Sequence, residues 1–199
     1  DADGTTPLLW AANVNDLDLV SRLLKAGANP NQRNLLGSTP LAEAALNSNT
    51  EMIQALLAAK ADANAAGADG QTPLMLVART ANVAAAKLLL DKGANVNVKE
   101  AQRGQTALMW AAAASQGPMM RELLAHGAEA DAKSATDMMT PLISKEPRVQ
   151  PRPPGGMTAM LFSTREGCMD CVQALVEKGA KVDLPDPEGI TPLISAIFN

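Results

Sequence analysis

The sequence predicts an all-α solenoid of stacked helix–turn–helix units, and two observations lead to this prediction. The first is a short motif of the form Gly-x-Thr-Pro-Leu, or a close variant, which begins at Gly4, Gly37, Gly70, Gly104, Gly156 and Gly189. These glycines are separated by 33, 33, 34, 52 and 33 residues, and such a fixed period is typical of a repeat array. The second is that apolar residues with helical spacing follow the motif in two short runs.

The first repeat shows how the unit is built. Thr6 is placed to cap a helix, and Pro7 to occupy its first position, where the missing N–H costs nothing. A second helix is predicted over 17–25, with its leucines and valine on one face. Gly27 is placed to end that helix in the left-handed conformation. Because helices this short are unstable alone in water, the units must stack on copies of themselves.

The later repeats follow the same plan. In repeats one, three, four and five, the closing glycine comes 21 residues after the motif threonine. Repeat two has Lys60 in place of the closing glycine, at an expected cost of ~1 kcal/mol if the left-handed turn is kept. We predict one domain over 1–199, divided into repeats at about 1–33, 34–66, 67–100, 101–133 and 153–185, with a partial repeat at 186–199.

An insertion of 19 residues, assigned to 134–152, separates repeats four and five. Its first half contains Met138 and Met139, and its proline-rich second half contains Arg148 and Arg152. Insertions in repeat proteins map to one face, often the binding face. The alternative is a tolerated surface loop, because lengthening a loop costs little entropy.

These motifs resemble the ankyrin repeat, a 33-residue unit of a turn and two helices. The matching segments are Thr-Pro-Leu at 6–8, 39–41, 72–74 and 191–193, and Gly-Ala-Asn-Val-Asn at 93–97. The histidine that usually follows Thr-Pro-Leu is absent, so apolar packing is expected to replace the hydrogen bonds it makes between repeats. The resemblance implies stacked helix pairs joined by β-turn or hairpin tips, and a protein that binds other proteins.

Composition argues against several classes of function. The net charge of −4 and the pI of about 5.0 make nucleic acid an unexpected partner, because nucleic-acid binding needs a basic face. The longest apolar run, 107–114, is too short to span a bilayer, so membrane insertion is not expected. The chain begins with Asp1 inside the repeat pattern, which we interpret as a processed or trimmed product. A cytoplasmic location and a periplasmic or extracellular one both stay open.

Few residues are candidates for catalysis or metal binding. Cys168 and Cys171 form a C-x-x-C at the start of a second helix, where structural thiols are expected. A disulfide and a metal or redox site are the alternatives, since positions i and i+3 share a helix face. His126 is the only histidine, and it is expected to interact with a helix C-terminus. We therefore predict no enzyme activity and no cofactor.

The resemblance implies that a protein partner contacts the turn tips and the first helix of each repeat. By position, the candidate partner-binding residues are Leu35, Leu36, Asn47, Arg79, Arg103, Gln105, Arg165, Trp10 and Trp110, together with Met138, Met139, Arg148 and Arg152 of the insertion. Of these candidates, Arg79, Arg103 and Arg165 are expected to form a basic strip in an acidic protein.

The aromatic residues Trp10, Trp110 and Phe162 occupy one position of the repeat, where they either pack between first helices or anchor a partner. We predict a non-enzymatic protein-interaction scaffold that uses the tips, the first helices and the insertion. The alternative is a permanent structural subunit of a larger complex, docked through the insertion and the C-terminal helix.

Overall fold

The computed structural model describes residues 3–136 and 155–197. Over these ranges the chain forms eleven helices and no strand, as expected for an all-α solenoid. The helices are α1 (Pro7–Asn13), α2 (Leu17–Lys25), α3 (Pro40–Leu46), α4 (Thr50–Ala58), α5 (Pro73–Ala78), α6 (Val83–Asp91), α7 (Ala107–Ala113), α8 (Gly117–Ala125), α9 (Ala159–Arg165), α10 (Met169–Glu177) and α11 (Pro192–Ile197). None of these helices is long and apolar enough to cross a membrane.

The helices stack in two layers. The first helices α1, α3, α5, α7, α9 and α11 pack in succession, and the second helices α2, α4, α6, α8 and α10 do the same. Repeats one to five each place one large apolar side chain, two residues after the threonine, in the core between the layers: Leu8, Leu41, Leu74, Leu108 and Met160. The equivalent residue of the partial sixth repeat, Leu193, is exposed. Buried alanines such as Ala11, Ala44 and Ala111 let neighbouring helices approach closely.

A threonine caps each first helix. The hydroxyl oxygens of Thr6, Thr39, Thr72, Thr106, Thr158 and Thr191 accept a hydrogen bond from the backbone N–H three residues later, at 3.2 to 3.4 Å. Because this bond satisfies an otherwise unpaired donor, the threonine fixes where the helix begins. The predicted second helix over 17–25 is α2, and Gly27 after it has a φ of 88°. Lys60 keeps the left-handed turn, with a φ of 67°.

An asparagine ladder, formed by Asn31, Asn64 and Asn97, links neighbouring repeats. The Asn97 side chain donates to the Gly127 carbonyl oxygen at 3.0 Å and accepts from the Glu129 N–H at 2.9 Å. Asn31 and Asn64 make the same two bonds to the repeats that follow them. Asp131 occupies the next position and keeps only the acceptor bond, from the Lys181 N–H at 2.9 Å.

The insertion enlarges a turn tip and leaves the stacking intact. The Ser134 N–H donates to the Met157 carbonyl oxygen at 2.9 Å, and the Met157 N–H donates to the Ser134 hydroxyl at 2.9 Å. The uninterrupted tip of repeat four closes in the same way, with the Glu100 N–H donating to the Gln105 carbonyl oxygen at 3.1 Å. We call the paired segments 134–136 and 155–157 the stem. Between them, Met138, Met139, Arg148 and Arg152 lie outside the described residues.

The second-helix layer also continues past the insertion. Arg121 of α8 forms a bidentate ion pair with Asp170 of α10. Its Nη1 donates to Oδ2 at 3.0 Å, and its Nη2 donates to Oδ1. The hydrogen bond from Arg121 lowers the pKa of Asp170 below its usual value. Gly117 leaves room for this carboxylate, because a Cβ at that position would overlap it.

Candidate partner-binding groove

A groove of about 430 Å³ lies where the turn tips of repeats three and four meet the first helices α5 and α7. Its lining residues are Gln71, Arg79, Glu100, Gln102, Arg103, Gln105, Trp110, Ala113 and Ala114. Four of the candidate partner-binding residues therefore share one hollow: Trp110 from α7, Arg79 from the C-cap of α5, and Arg103 and Gln105 from a tip. We call this hollow the Trp110 groove.

Trp110 and Arg79 are in direct contact in this groove. Arg79 follows the last residue of α5, and its guanidinium carbon lies 5.4 Å from the centroid of the Trp110 ring, in the range of a cation–π interaction. The indole Nε1 of Trp110 is buried and has no hydrogen-bond partner among the described residues. A buried donor without an acceptor costs about 1–3 kcal/mol, so an acceptor that reached this atom after a neighbouring group moved would be favoured.

Glu100 shapes the tip that carries Arg103 and Gln105. Its side chain is only 4% exposed, and its carboxylate accepts from the backbone N–H groups of Gln102 at 2.6 Å, Arg103 at 2.8 Å and Gln105 at 3.0 Å. Three bonds to backbone donors hold the loop in one conformation. Sequence reasoning missed Glu100. The sequence did hold a signal: Asn34 and Asp186 stand at the start of two other tips, where a side-chain oxygen can accept from backbone N–H groups. In the structure both side chains do so, as Glu100 does.

The two arginines of the groove are free of ionic partners within the described ranges. The ion pairs of those ranges join Asp18 to Arg22, Arg121 to Asp170, and Glu122 to His126. No side-chain hydrogen bond from Arg79 or Arg103 to a described residue is formed. Among the described residues, the groove therefore holds two guanidinium groups without an ionic partner and a buried indole N–H without an acceptor.

Comparison with known families identifies the repeats that carry this groove. A family model described as ankyrin repeats in three copies matches residues 1–66 and 59–134, and a model described as the ankyrin repeat matches residues 155–187. The chain belongs to the ankyrin-repeat family. Ankyrin repeats are generally protein–protein interaction modules and are typically non-enzymatic.

Other candidate residues of this ankyrin-repeat protein lie away from the Trp110 groove. Arg165 is the last residue of α9, one repeat further along, and is not part of the lining. Leu35 and Leu36 are 79% and 75% exposed at the tip of repeat two. Trp10 is 52% exposed and lines a separate shallow hollow at the first repeat.

Asn47 has a structural task in this ankyrin-repeat array. Its side-chain amide donates to the carbonyl oxygens of Ala12 at 2.9 Å and Asn13 at 3.1 Å, the last carbonyl groups of α1. These bonds give the carbonyl groups at the end of α1 a partner from the next repeat, in addition to the Asn15 N–H that already bonds to Ala12 at 3.1 Å. The amide nitrogen is therefore already bonded to the preceding repeat.

The shared aromatic position of the ankyrin repeats has three different environments. Phe162 is 9% exposed and packs in the core, Trp10 is largely exposed, and Trp110 is partly buried against Arg79. The first alternative, packing between helices, therefore holds for Phe162. Among the three, only Trp110 both contacts an arginine with its ring and has an indole N–H without an acceptor among the described residues.

The expectation of free structural thiols in repeat five is wrong, because Cys168 and Cys171 are joined by a disulfide. Cys168 is the N-cap of α10 and not part of the helix itself, and its Cα lies 5.2 Å from that of Cys171. This separation is ordinary for a disulfide. Among the described residues no group of three or more potential ligands could hold a metal ion. His126 follows α8, and its Nδ1 lies 3.0 Å from the Glu122 carbonyl oxygen, close to the predicted helix end.

Proposed function

We propose that this ankyrin-repeat protein is a non-enzymatic interaction scaffold that binds a protein partner through its first helices and turn tips, with the Trp110 groove at the centre. The observation that supports this most strongly is that Arg79, Arg103 and Trp110 share one hollow, where their side-chain donors have no acceptor among the described residues. Tryptophan and arginine are enriched among the residues that dominate binding energy at protein interfaces.

The position of the stem supports a part for the insertion on the same face. The Ala135 N–H donates to the Arg103 carbonyl oxygen at 2.8 Å, so the enlarged tip begins directly beside the tip that lines the groove. A partner seated against Arg103 would therefore lie beside the stem from which the insertion starts. We therefore include 134–152 in the proposed binding surface.

Site-specific photocrosslinking in cells tests this assignment. A photoreactive amino acid replaces Ala113, which is exposed in the groove lining, and in a matched control it replaces Lys87, which is exposed on the second-helix layer. We expect a discrete protein adduct from position 113 that is absent from position 87 and that excess unmodified protein competes away. The same adduct from both positions, or an adduct from position 87 alone, would contradict the proposed face.

A further inference from the structure

The carboxylates near the Trp110 groove are already occupied by groups of the protein itself. Glu100 bonds to the backbone of its own tip, as described above. Asp69, in the neighbouring tip, accepts from the Gln71 N–H at 3.2 Å and from the Gln71 side-chain amide. Neither acid forms an ion pair with Arg79 or Arg103. Within the described residues, neither arginine of the groove is therefore directly paired with an acid, although Glu100 keeps its negative charge in the lining.

Apart from the side-chain amides of the lining glutamines, which can both donate and accept, the side-chain groups without a bound partner among the described residues of the groove are hydrogen-bond donors. The guanidinium groups of Arg79 and Arg103 offer planar forks that match carboxylates, and the buried Trp110 Nε1 has one more N–H that lacks an acceptor among the described residues. A ligand that complements this set must supply acceptors, and negatively charged acceptors give the stronger bonds. Lysine-rich or arginine-rich segments would bring donors against donors.

We propose that the Trp110 groove binds an acidic segment of a protein partner. One carboxylate of an extended Asp- or Glu-rich stretch pairs with Arg79 above the Trp110 ring, and a second carboxylate pairs with Arg103. When Arg79 turns toward the incoming carboxylate, a carbonyl or carboxylate oxygen of the segment gains access to the indole N–H. This inference rests on the proposed function, and it adds the chemistry of the partner.

The charge of the whole protein sharpens the inference. A net charge of −4 repels acidic ligands at long range, so affinity for them must come from a local site. The binding is therefore expected to depend on individual arginines of the groove. Removal of a lysine elsewhere changes the net charge equally but leaves the site intact.

The chain offers a direct spectroscopic probe of this groove. It contains two tryptophans and no tyrosine, so Trp10→Phe leaves Trp110 as the single indole. This variant is titrated with a capped hexaglutamate peptide, with hexaglutamine and hexalysine as controls. Anisotropy of dye-labelled peptides on the unsubstituted protein provides a readout that does not depend on indole emission.

We expect saturable binding of hexaglutamate alone. Its affinity should fall about tenfold or more in Arg79→Gln and in Arg103→Gln, because each loses a charge-assisted pair, and should be unchanged in Lys87→Gln. Thermal unfolding verifies that each variant is folded. Equal binding of hexaglutamine, equal loss in Lys87→Gln, or no saturable binding of hexaglutamate would overturn the proposal.

The photocrosslinking experiment separates the two levels of inference. An adduct from position 113 combined with no hexaglutamate binding refutes the acidic segment and retains the binding face. An adduct from position 87 alone, together with no peptide binding, refutes both.

Discussion

The asparagine ladder gives a prediction that can be worked out in detail, because Asp131 is a natural variant of it. Asn97→Asp keeps the acceptor for the Glu129 N–H but removes the 3.0 Å donor bond to the Gly127 carbonyl oxygen. One net hydrogen bond contributes about 1 kcal/mol to the free energy of unfolding. We expect Asn97→Asp to cost about 1 kcal/mol and Asn97→Ala, which loses both bonds, about 2 kcal/mol.

The reverse change should stabilise the protein. Asp131→Asn supplies an amide donor where the ladder lacks one, in reach of the Gly179 carbonyl oxygen if repeat five follows the geometry of repeat four. We expect a gain of about 1 kcal/mol from this substitution. Because the ladder bonds lie on the surface, neither change should disturb the buried core.

Urea unfolding followed by far-UV circular dichroism measures these effects. With an m-value of about 2 kcal/mol per molar, each hydrogen bond should move the midpoint by about 0.5 M. Unchanged m-values show that the transition stays comparable among the variants, which matters because long repeat arrays can lose cooperativity. If Asn97→Asp and Asp131→Asn both leave the midpoint in place, the donor bond of the ladder contributes nothing and the reasoning is refuted.

Three further predictions concern other sites. Gln116→Asn should stabilise α8 by about 0.5–2 kcal/mol in thermal or urea unfolding, because the N-cap of that helix makes no side-chain capping bond and Asn is a preferred cap; a loss of stability would contradict this. Ionised Asp170 has a lowered pKa when paired with Arg121, so its stabilisation is present above its unfolded pKa of about 3.9 and is lost as pH falls through the folded pKa. Asp170→Asn should therefore unfold more easily at pH 7 and show a shallower decline below about pH 4, and an unaltered pH profile would argue against the pair. Gly155→Ala should destabilise the stem by about 1–3 kcal/mol, because its Cβ would lie 2.0 Å from a backbone carbonyl oxygen of the opposite segment; a melting temperature equal to that of the wild type would show that the stem yields without cost.

The fold could be predicted because its signals are local and repeated. Thr6 and Pro7 specify a helix start from neighbouring atoms alone, and Gly27 specifies its end. Each repetition of this pattern adds independent support for the same unit. Stacking then follows because such short amphipathic helices have no other way to bury their apolar faces.

The site could be predicted only in part, because its properties depend on neighbours that the repeat pattern does not specify. Trp10 and Phe162 share the position of Trp110, yet only Trp110 lies under an arginine from the preceding repeat. Asn47 was placed on the binding face from its position, whereas its amide is used to satisfy carbonyls of α1. The disulfide forms because Cys168 is the N-cap of α10, which brings it close to Cys171. The C-x-x-C spacing alone does not decide between free thiols and a disulfide.

Because of the stem, the loop inserted at this tip could be replaced by another loop. The two sides of the stem are joined by hydrogen bonds at Ser134 and Met157 before the added chain begins, and the helices on either side keep their register. Doubling the length of a flexible loop costs only about 0.6 kcal/mol, so sequences of quite different length should be tolerated there. The array could thus acquire or lose a recognition loop in evolution, or receive one by grafting, without any change to the scaffold that carries it.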